Sequence, residues 1–235
     1  MGRIFEKRKH KIFARNARLS KAFTKVGKEI AMAVKQAGPN PESNQKLRVA
    51  IQNAKGLNMP KDKVEAAIKR ASSKDEKDFQ EVIYEGYAPH GVPILVECAT
   101  DNPTRTVANI RLHFSKNGGS MGTSGSVSFM FDRKGIFKFP IGSLDLDALE
   151  LDLIDAGAED IEKGDEEIVI STKFTDFGAM QKFLESKKLE ATSAELQFLP
   201  TTTKELTEGE LDEVLKLVNA LEDDEDVQSV YHNVA

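Results

Sequence analysis

Val82-Ile-Tyr-Glu-Gly-Tyr-Ala-Pro-His-Gly-Val-Pro-Ile-Leu-Val-Glu-Cys98 is the stretch that decides the fold. Two runs rich in β-branched and aromatic residues, 82–87 and 92–98, flank Ala88-Pro-His-Gly91, where Pro and Gly favour a tight connection. The reading is a hairpin.

Downstream the period changes. Asp101 or Asn102 can cap a helix with Pro103 in its first turn, carrying Val107, Ile110, Leu112 and Phe114 and ending at Asn117-Gly-Gly119. Val127, Phe129 and Phe131 then alternate with Ser126, Ser128 and Met130, which predicts a half-buried strand. From Gly135 the pattern predicts a strand at Ile136–Phe139, a helix at Leu144–Ala156 and strands near Ile161 and at Ile168–Ser171. A helix at Asp176–Lys187 and a strand at Ser193–Leu199 follow. That order is β-α-β-β-α-β, the split βαβ plan. A last helix, Glu208–Leu221, and strand, Val227–Val234, would have nowhere to bury their apolar faces alone. They are therefore assigned to a discontinuous domain, 79–133 plus 204–235, with 134–203 inserted in it. Both are expected to be ferredoxin-like α/β domains in a multidomain α+β chain.

Upstream, residues 1–76 read as an N-terminal three-helix bundle. Leu19, Ala22, Phe23, Val26, Ile30, Ala33 and Val34 form one apolar stripe, stopped by Gly38-Pro39. Asn40 can cap a second helix with Pro41 in its first turn and Leu47, Ala50, Ile51 and Ala54 inward. Pro60 opens a third, with Val64, Ala67, Ile68 and Ala71 inward. The polar run Ser72–Asp78 is the expected linker.

Charge follows this division. Residues 1–76 hold 19 Lys and Arg against 7 Asp and Glu, whereas the remainder holds 14 against 31. A sign change where the structural class also changes points to a polyanion-binding head on a body that does not bind polyanions. The candidate binding residues are Arg3, Lys7, Arg8, Lys9, Lys11, Arg15, Arg18, Lys21, Lys25 and Lys28. Arg18, Lys21, Lys25 and Lys28 fall at intervals of 3, 4 and 3, which at 100° per residue sets them opposite the Phe23/Val26/Ile30 stripe. Such a face offers cations to phosphates and makes binding salt-dependent, but it carries no base-reading code. Phe5, Ile12 and Phe13, interleaved with the cations, either dock this basic arm on the bundle or stack on unpaired bases.

At this point several motifs carry a resemblance. Asn58-Met-Pro-Lys-Asp62, Ala67-Ile-Lys-Arg70, Tyr84-Glu-Gly-Tyr87, Thr100-Asp-Asn102, Arg105-Thr-Val-Ala108, Phe114-Ser-Lys-Asn-Gly-Gly119, Gly125-Ser-Val127 and Phe129-Met-Phe-Asp132 are similar to those of the YebC family. The resemblance implies a helical N-terminal domain and two α/β domains in a cytoplasmic bacterial protein or an organellar relative. Some members are described as DNA-binding transcriptional regulators; others are linked to translation, helping ribosomes through consecutive prolines. The family's usual Gly-His-Ser-Lys-Trp opening is replaced here by Gly2-Arg-Ile-Phe-Glu6, and the chain has no Trp.

Other chemistry is not expected. Gly118-Gly-Ser-Met-Gly-Thr-Ser-Gly125 lacks the Gly-Lys-Ser/Thr ending of a phosphate-binding loop and precedes no helix; it reads as a helix-to-strand connection, or as a slim loop entering a narrow RNA site. His10, His90, His113, His232 and Cys98 form no ligand-spaced cluster and no nucleophile–base pair stands out, so neither a metal, another cofactor nor an enzyme activity is expected. Asp101, Asn102 and Arg105 read as a cap with a local ion pair. The acidic body suits basic ribosomal proteins as partners. No run is apolar enough for a membrane, and without a dimer seam the chain is expected to be monomeric.

Overall fold

Helical period and cap chemistry account for the first part of the chain. The structure, a computed structural model, describes the backbone of residues 3–73 and 78–235 and, within those ranges, the side chains from residue 19 onward. The basic run and the apolar stripe form one helix, α1 (Arg3–Ala37), about 50 Å long at 1.5 Å per residue. Residues 3–28 are thus helical throughout rather than a separate arm. Gly38, at φ 87, ends α1 by entering the left-handed region that glycine adopts without a Cβ penalty. α2 (Gln45–Gly56) and α3 (Lys61–Ala71) follow. The cap of α2 is Asn44, not Asn40: its Oδ1 accepts the Leu47 N–H at 3.0 Å, while its Nδ2 donates to the carbonyls of Ala33 and Gly38 at 2.7 and 2.8 Å. One buried side chain therefore ties the start of α2 to the end of α1. Asn40 instead accepts the Glu42 N–H in the preceding turn. Val26, Ile30 and Val34 of α1, Leu47, Ala50 and Ala54 of α2 and Val64 of α3 are buried.

The chain divides into two units, Met1–Asp78 and Phe79–Ala235. The second holds two antiparallel four-stranded sheets. In chain order its elements are β1 (Gln80–Ala88), β2 (Val92–Thr100), α4 (Pro103–Lys116), β3 (Ser120–Met121), β4 (Phe131–Pro140), α5 (Leu146–Asp155) and β5 (Ala158–Lys163). β6 (Glu167–Lys173), α6 (Phe177–Ser186), β7 (Ser193–Pro200), α7 (Glu208–Glu222) and β8 (Val227–His232) complete it.

The first sheet runs β3-β1-β2-β8 and the second β5-β6-β4-β7. The second is the split βαβ order: β6 lies between β4 and β5, and β4 lies between β6 and β7. The first departs from the ferredoxin-like order expected of both sheets. Its β1–β2 hairpin is central, and the two strands reached through helices, β3 and β8, form the edges.

Alternation on β2 sends Ile94, Val96 and Cys98 to one face, where they pack with Ile110 and Phe114 of α4 and Val214, Leu217 and Leu221 of α7. On the opposite face Leu95 joins Val127 and Phe131, with Tyr87, Met130, Phe198 and Tyr231 packed around them, so the two sheets share a core. In the second sheet Phe137 stacks on Phe177 at 4.9 Å.

The strand expected at Ser126–Phe131 is not one. Ser128–Met130 is a 3₁₀ turn, and Phe131 begins β4. The edge strand of this region is Ser120–Met121, within the segment read as a connection.

Candidate nucleic-acid interface

The first candidate surface is α1. Its buried stripe of Val26, Ile30, Ala33 and Val34 fixes which way the helix faces. Lys21, Lys25 and Lys28 lie away from that stripe; Lys21 is exposed, and Lys25 and Lys28 are half-buried. The three stand on one face at helical spacing, consistent with a phosphate-contacting row. The side chains of Arg3, Lys7, Arg8, Lys9, Lys11, Arg15 and Arg18 lie outside the described residues, although their backbone belongs to α1. The sequence reading did not single out α3, where Lys61, Lys69 and Arg70 are exposed and Lys63 places its ammonium 5.4 Å from the Phe23 ring centroid. Their acidic neighbours Asp62 and Glu65 obscured that signal, and Lys61 pairs with Glu65 at 3.6 Å.

The second candidate is the Gly118–Gly125 loop, and one side chain organises it. Glu85, buried on β1, accepts the backbone N–H of Gly125 at 2.7 Å on one carboxylate oxygen. Its other oxygen accepts those of Val127 and Ser128 at 2.7 and 2.9 Å. Burial pushes this carboxyl up, but the three N–H donors outweigh it and hold the group below the usual carboxylate range. The Gly122 N–H bonds the Glu85 carbonyl, and the Tyr87 hydroxyl donates to the Ser126 carbonyl. The loop is therefore latched to β1, and the N–H groups that make an anion nest elsewhere are here occupied by the protein's own carboxylate. It is no phosphate cradle. Gly86 and Gly119 permit the close approach: a Cβ on Gly86 would lie 2.6 Å from the Ser120 carbonyl oxygen, and one on Gly119 2.7 Å from that of Tyr87.

Asn102 caps α4, and Arg105 bridges Asp101 and Asp226 at 2.9 and 2.8 Å. The hydrogen bond to Asp226, more than that to Asp101, raises the guanidinium's hold on its proton. Asp226 is buried and also accepts from Thr100 and Thr106 at 3.1 and 2.8 Å, which fastens the residue before β8 to α4. Beneath the second face of the first sheet, the Tyr231 hydroxyl donates to Glu97 at 3.1 Å; burial pushes both groups up. Cys98 is buried. Among the described residues no group of His, Cys, Asp and Glu is placed to hold a metal, and no helix is long and apolar enough to cross a membrane.

Comparison with known proteins accounts for nearly the whole chain. Residues 3–74 match the TACO1/YebC protein N-terminal domain, and residues 79–234 match the TACO1/YebC second and third domain. A probable transcriptional regulatory protein of Anaeromyxobacter dehalogenans is 55% identical over 240 residues, covering 100% of both chains. One from Cytophaga hutchinsonii is 54% identical over 235 residues, covering 100% of this chain and 99% of that one. The crystal structure of a conserved hypothetical protein from Aquifex aeolicus superposes with a TM-score of 0.80 at 39% identity, covering 92% of this chain and 90% of that one. With its helical head and the two-sheet unit that follows both matched, the chain belongs to the TACO1/YebC family.

Proposed function

We propose that the chain is a DNA-binding transcriptional regulator that grips the phosphate backbone through its basic N-terminal helix. Three domains serve this reading: residues 1–76 bind nucleic acid, 79–133 plus 204–235 form a discontinuous body, and 134–203 are inserted in it. The observation that carries the proposal is α1 itself, one continuous helix bearing all ten candidate cations over residues 3–28. The names of its relatives, which describe transcriptional regulators, support it. The test is fluorescence anisotropy on duplex DNA across a salt series, comparing the wild type with K21E/K25E/K28E. Each phosphate contact contributes about 0.9 to the slope of log affinity against log salt. The variant should bind more weakly at low salt and lose about 2–3 from that slope; an unchanged slope rejects the helix as the grip.

A second reading is a ribosome-associated translation factor that relieves stalling. It is favoured by the excess of 31 acidic over 14 basic residues after position 76, a surface suited to basic ribosomal proteins. Sedimentation of the protein with ribosomes at low salt, lost in the same variant, would move the assignment there. Both readings place the protein in the cytoplasm without a cofactor.

A further inference from the structure

We propose that Phe129 is a stacking platform for an unpaired base of single-stranded nucleic acid; the inference rests on the nucleic-acid-binding reading above. A lone exposed apolar residue is ordinary on a protein surface, so exposure alone decides nothing. Three further observations set Phe129 apart.

The first is its mounting. Phe129 is 74% exposed, yet Val127 and Phe131 on either side are 0% and 6% exposed. The turn between these anchors is held on every side. Glu85 takes the N–H of Val127 and Ser128, the Met130 N–H bonds the Val127 carbonyl, and the Met130 carbonyl accepts both the N–H and the hydroxyl of Thr201. An aromatic ring on a fixed turn loses little freedom when something stacks on it, which is what a binding platform needs.

The second is charge. Residues 102–131 contain no Asp or Glu, although residues 77–235 hold 31 of them. Arg105 in that stretch is committed to Asp101 and Asp226. Arg111 and Lys116 are exposed on α4, and Lys116 is the residue at which the helix hands over to the loop. The stretch that carries the ring thus adds no carboxylate of its own, although Asp101, Asp224 and Asp226 lie against α4 and Asp132 follows directly. A polyanion therefore meets less repulsion along it than over the rest of the acidic body.

The third is the loop before the ring. Gly118, Gly119, Ser120, Gly122 and Gly125 present little bulk to an approaching strand. The Glu85 carboxylate takes the N–H groups of Gly125, Val127 and Ser128, and the Gly122 and Gly119 N–H groups bond the carbonyls of Glu85 and Phe114. The loop therefore offers mainly shape, and the ring is left to supply the attraction. In a duplex the base faces are hidden by their neighbours, so a single aromatic face selects unpaired bases.

The experiment uses the full chain and two probes, a fluorescein-labelled 15-nucleotide single-stranded RNA and a blunt DNA duplex of the corresponding sequence. F129A and F129L, the latter keeping bulk without a ring face, should weaken single-strand binding about 5-fold or more while leaving duplex binding unchanged. The chain has no Trp, so F129W creates a sole reporter at the platform. It should retain single-strand affinity, and its emission should be quenched as the RNA saturates. Wild-type single-strand affinity in F129A, or an unquenched F129W at saturation, overturns the platform. If the wild type binds both probes and F129A is silent, the head-based reading stands and only the platform falls. If the wild type binds neither probe, both fall together.

Discussion

Replacing Glu85 by Gln is the most informative single perturbation of the body, because it changes charge and one donor pattern while keeping shape. The carboxylate accepts three backbone N–H groups at 2.7, 2.7 and 2.9 Å. Hydrogen bonds to a charged group contribute about 1.5–3 kcal/mol each, roughly twice a neutral one. The amide oxygen of Gln can still serve Val127 and Ser128, at reduced strength, but its NH2 then faces the Gly125 N–H. One bond lost and two halved amount to about 4 kcal/mol, offset by about 1–2 kcal/mol for burying a neutral rather than a charged group. A net loss of about 2–3 kcal/mol is expected, or about 5–10 °C in Tm for a unit of this size.

The pH dependence adds a signature. Glu85 lies below its ordinary value of 4.5 in the folded state, so its contribution is complete above that value and is lost as pH falls through the lowered one. Urea denaturation at a series of pH values should show the gap between wild type and E85Q narrowing in acid. Amide exchange at Val127 and Ser128 should accelerate in the variant. A variant within about 0.5 kcal/mol of wild type at pH 7, or a gap that widens in acid, would refute the latch.

Two further outcomes are expected. Gly86→Ala would drive a Cβ to 2.6 Å from the Ser120 carbonyl oxygen and 2.8 Å from the Phe114 ring, costing about 1–3 kcal/mol by overpacking; equal urea midpoints would contradict that contact. Glu97 carries the opposite pH sign, because its folded value is raised above 4.5 by burial. Wild-type stability therefore declines as pH rises from 4.5 toward that raised value, and E97Q, which can still accept the Tyr231 hydrogen bond, should lack this decline. At pH 7 E97Q should be as stable as wild type or up to about 1 kcal/mol more so; a marked loss would show that the charge itself is needed.

Local period made the helices legible, since each buries a stripe that repeats every three or four residues, as Val214, Leu217, Val218 and Leu221 do on α7. Where period and packing part, the reading failed. Val127, Phe129 and Phe131 alternate like a strand, but contacts from Glu85, about forty residues away, bend the segment into a turn and turn Phe129 out to solvent. β3 is two residues long, too short for any period to show. Asn40 and Asn44 are equally good caps on paper; the choice is made by the carbonyls of Ala33 and Gly38, which only the folded bundle brings within reach. Tyr84-Glu-Gly-Tyr87 drew notice as a motif, yet the work of Glu85 and Gly86 is visible only with their distant partners in place. On α1 the cations were countable from the sequence, whereas the partial burial of Lys25 and Lys28 was not.

The strand order also sets a timetable for synthesis. β2 has β1 beside it at once, but its other neighbour, β8, begins at Val227, about 130 residues further along the chain. At about 5–20 residues per second that is a wait of roughly 6–25 s, during which the outer rim of β2 has no partner for its backbone groups and is open to pairing with other chains. All four strands of the second sheet, by contrast, are translated within that wait. The nascent protein thus completes its later sheet before its earlier one, and a stall or cleavage ahead of residue 227 leaves a sheet one strand short with an adhesive edge.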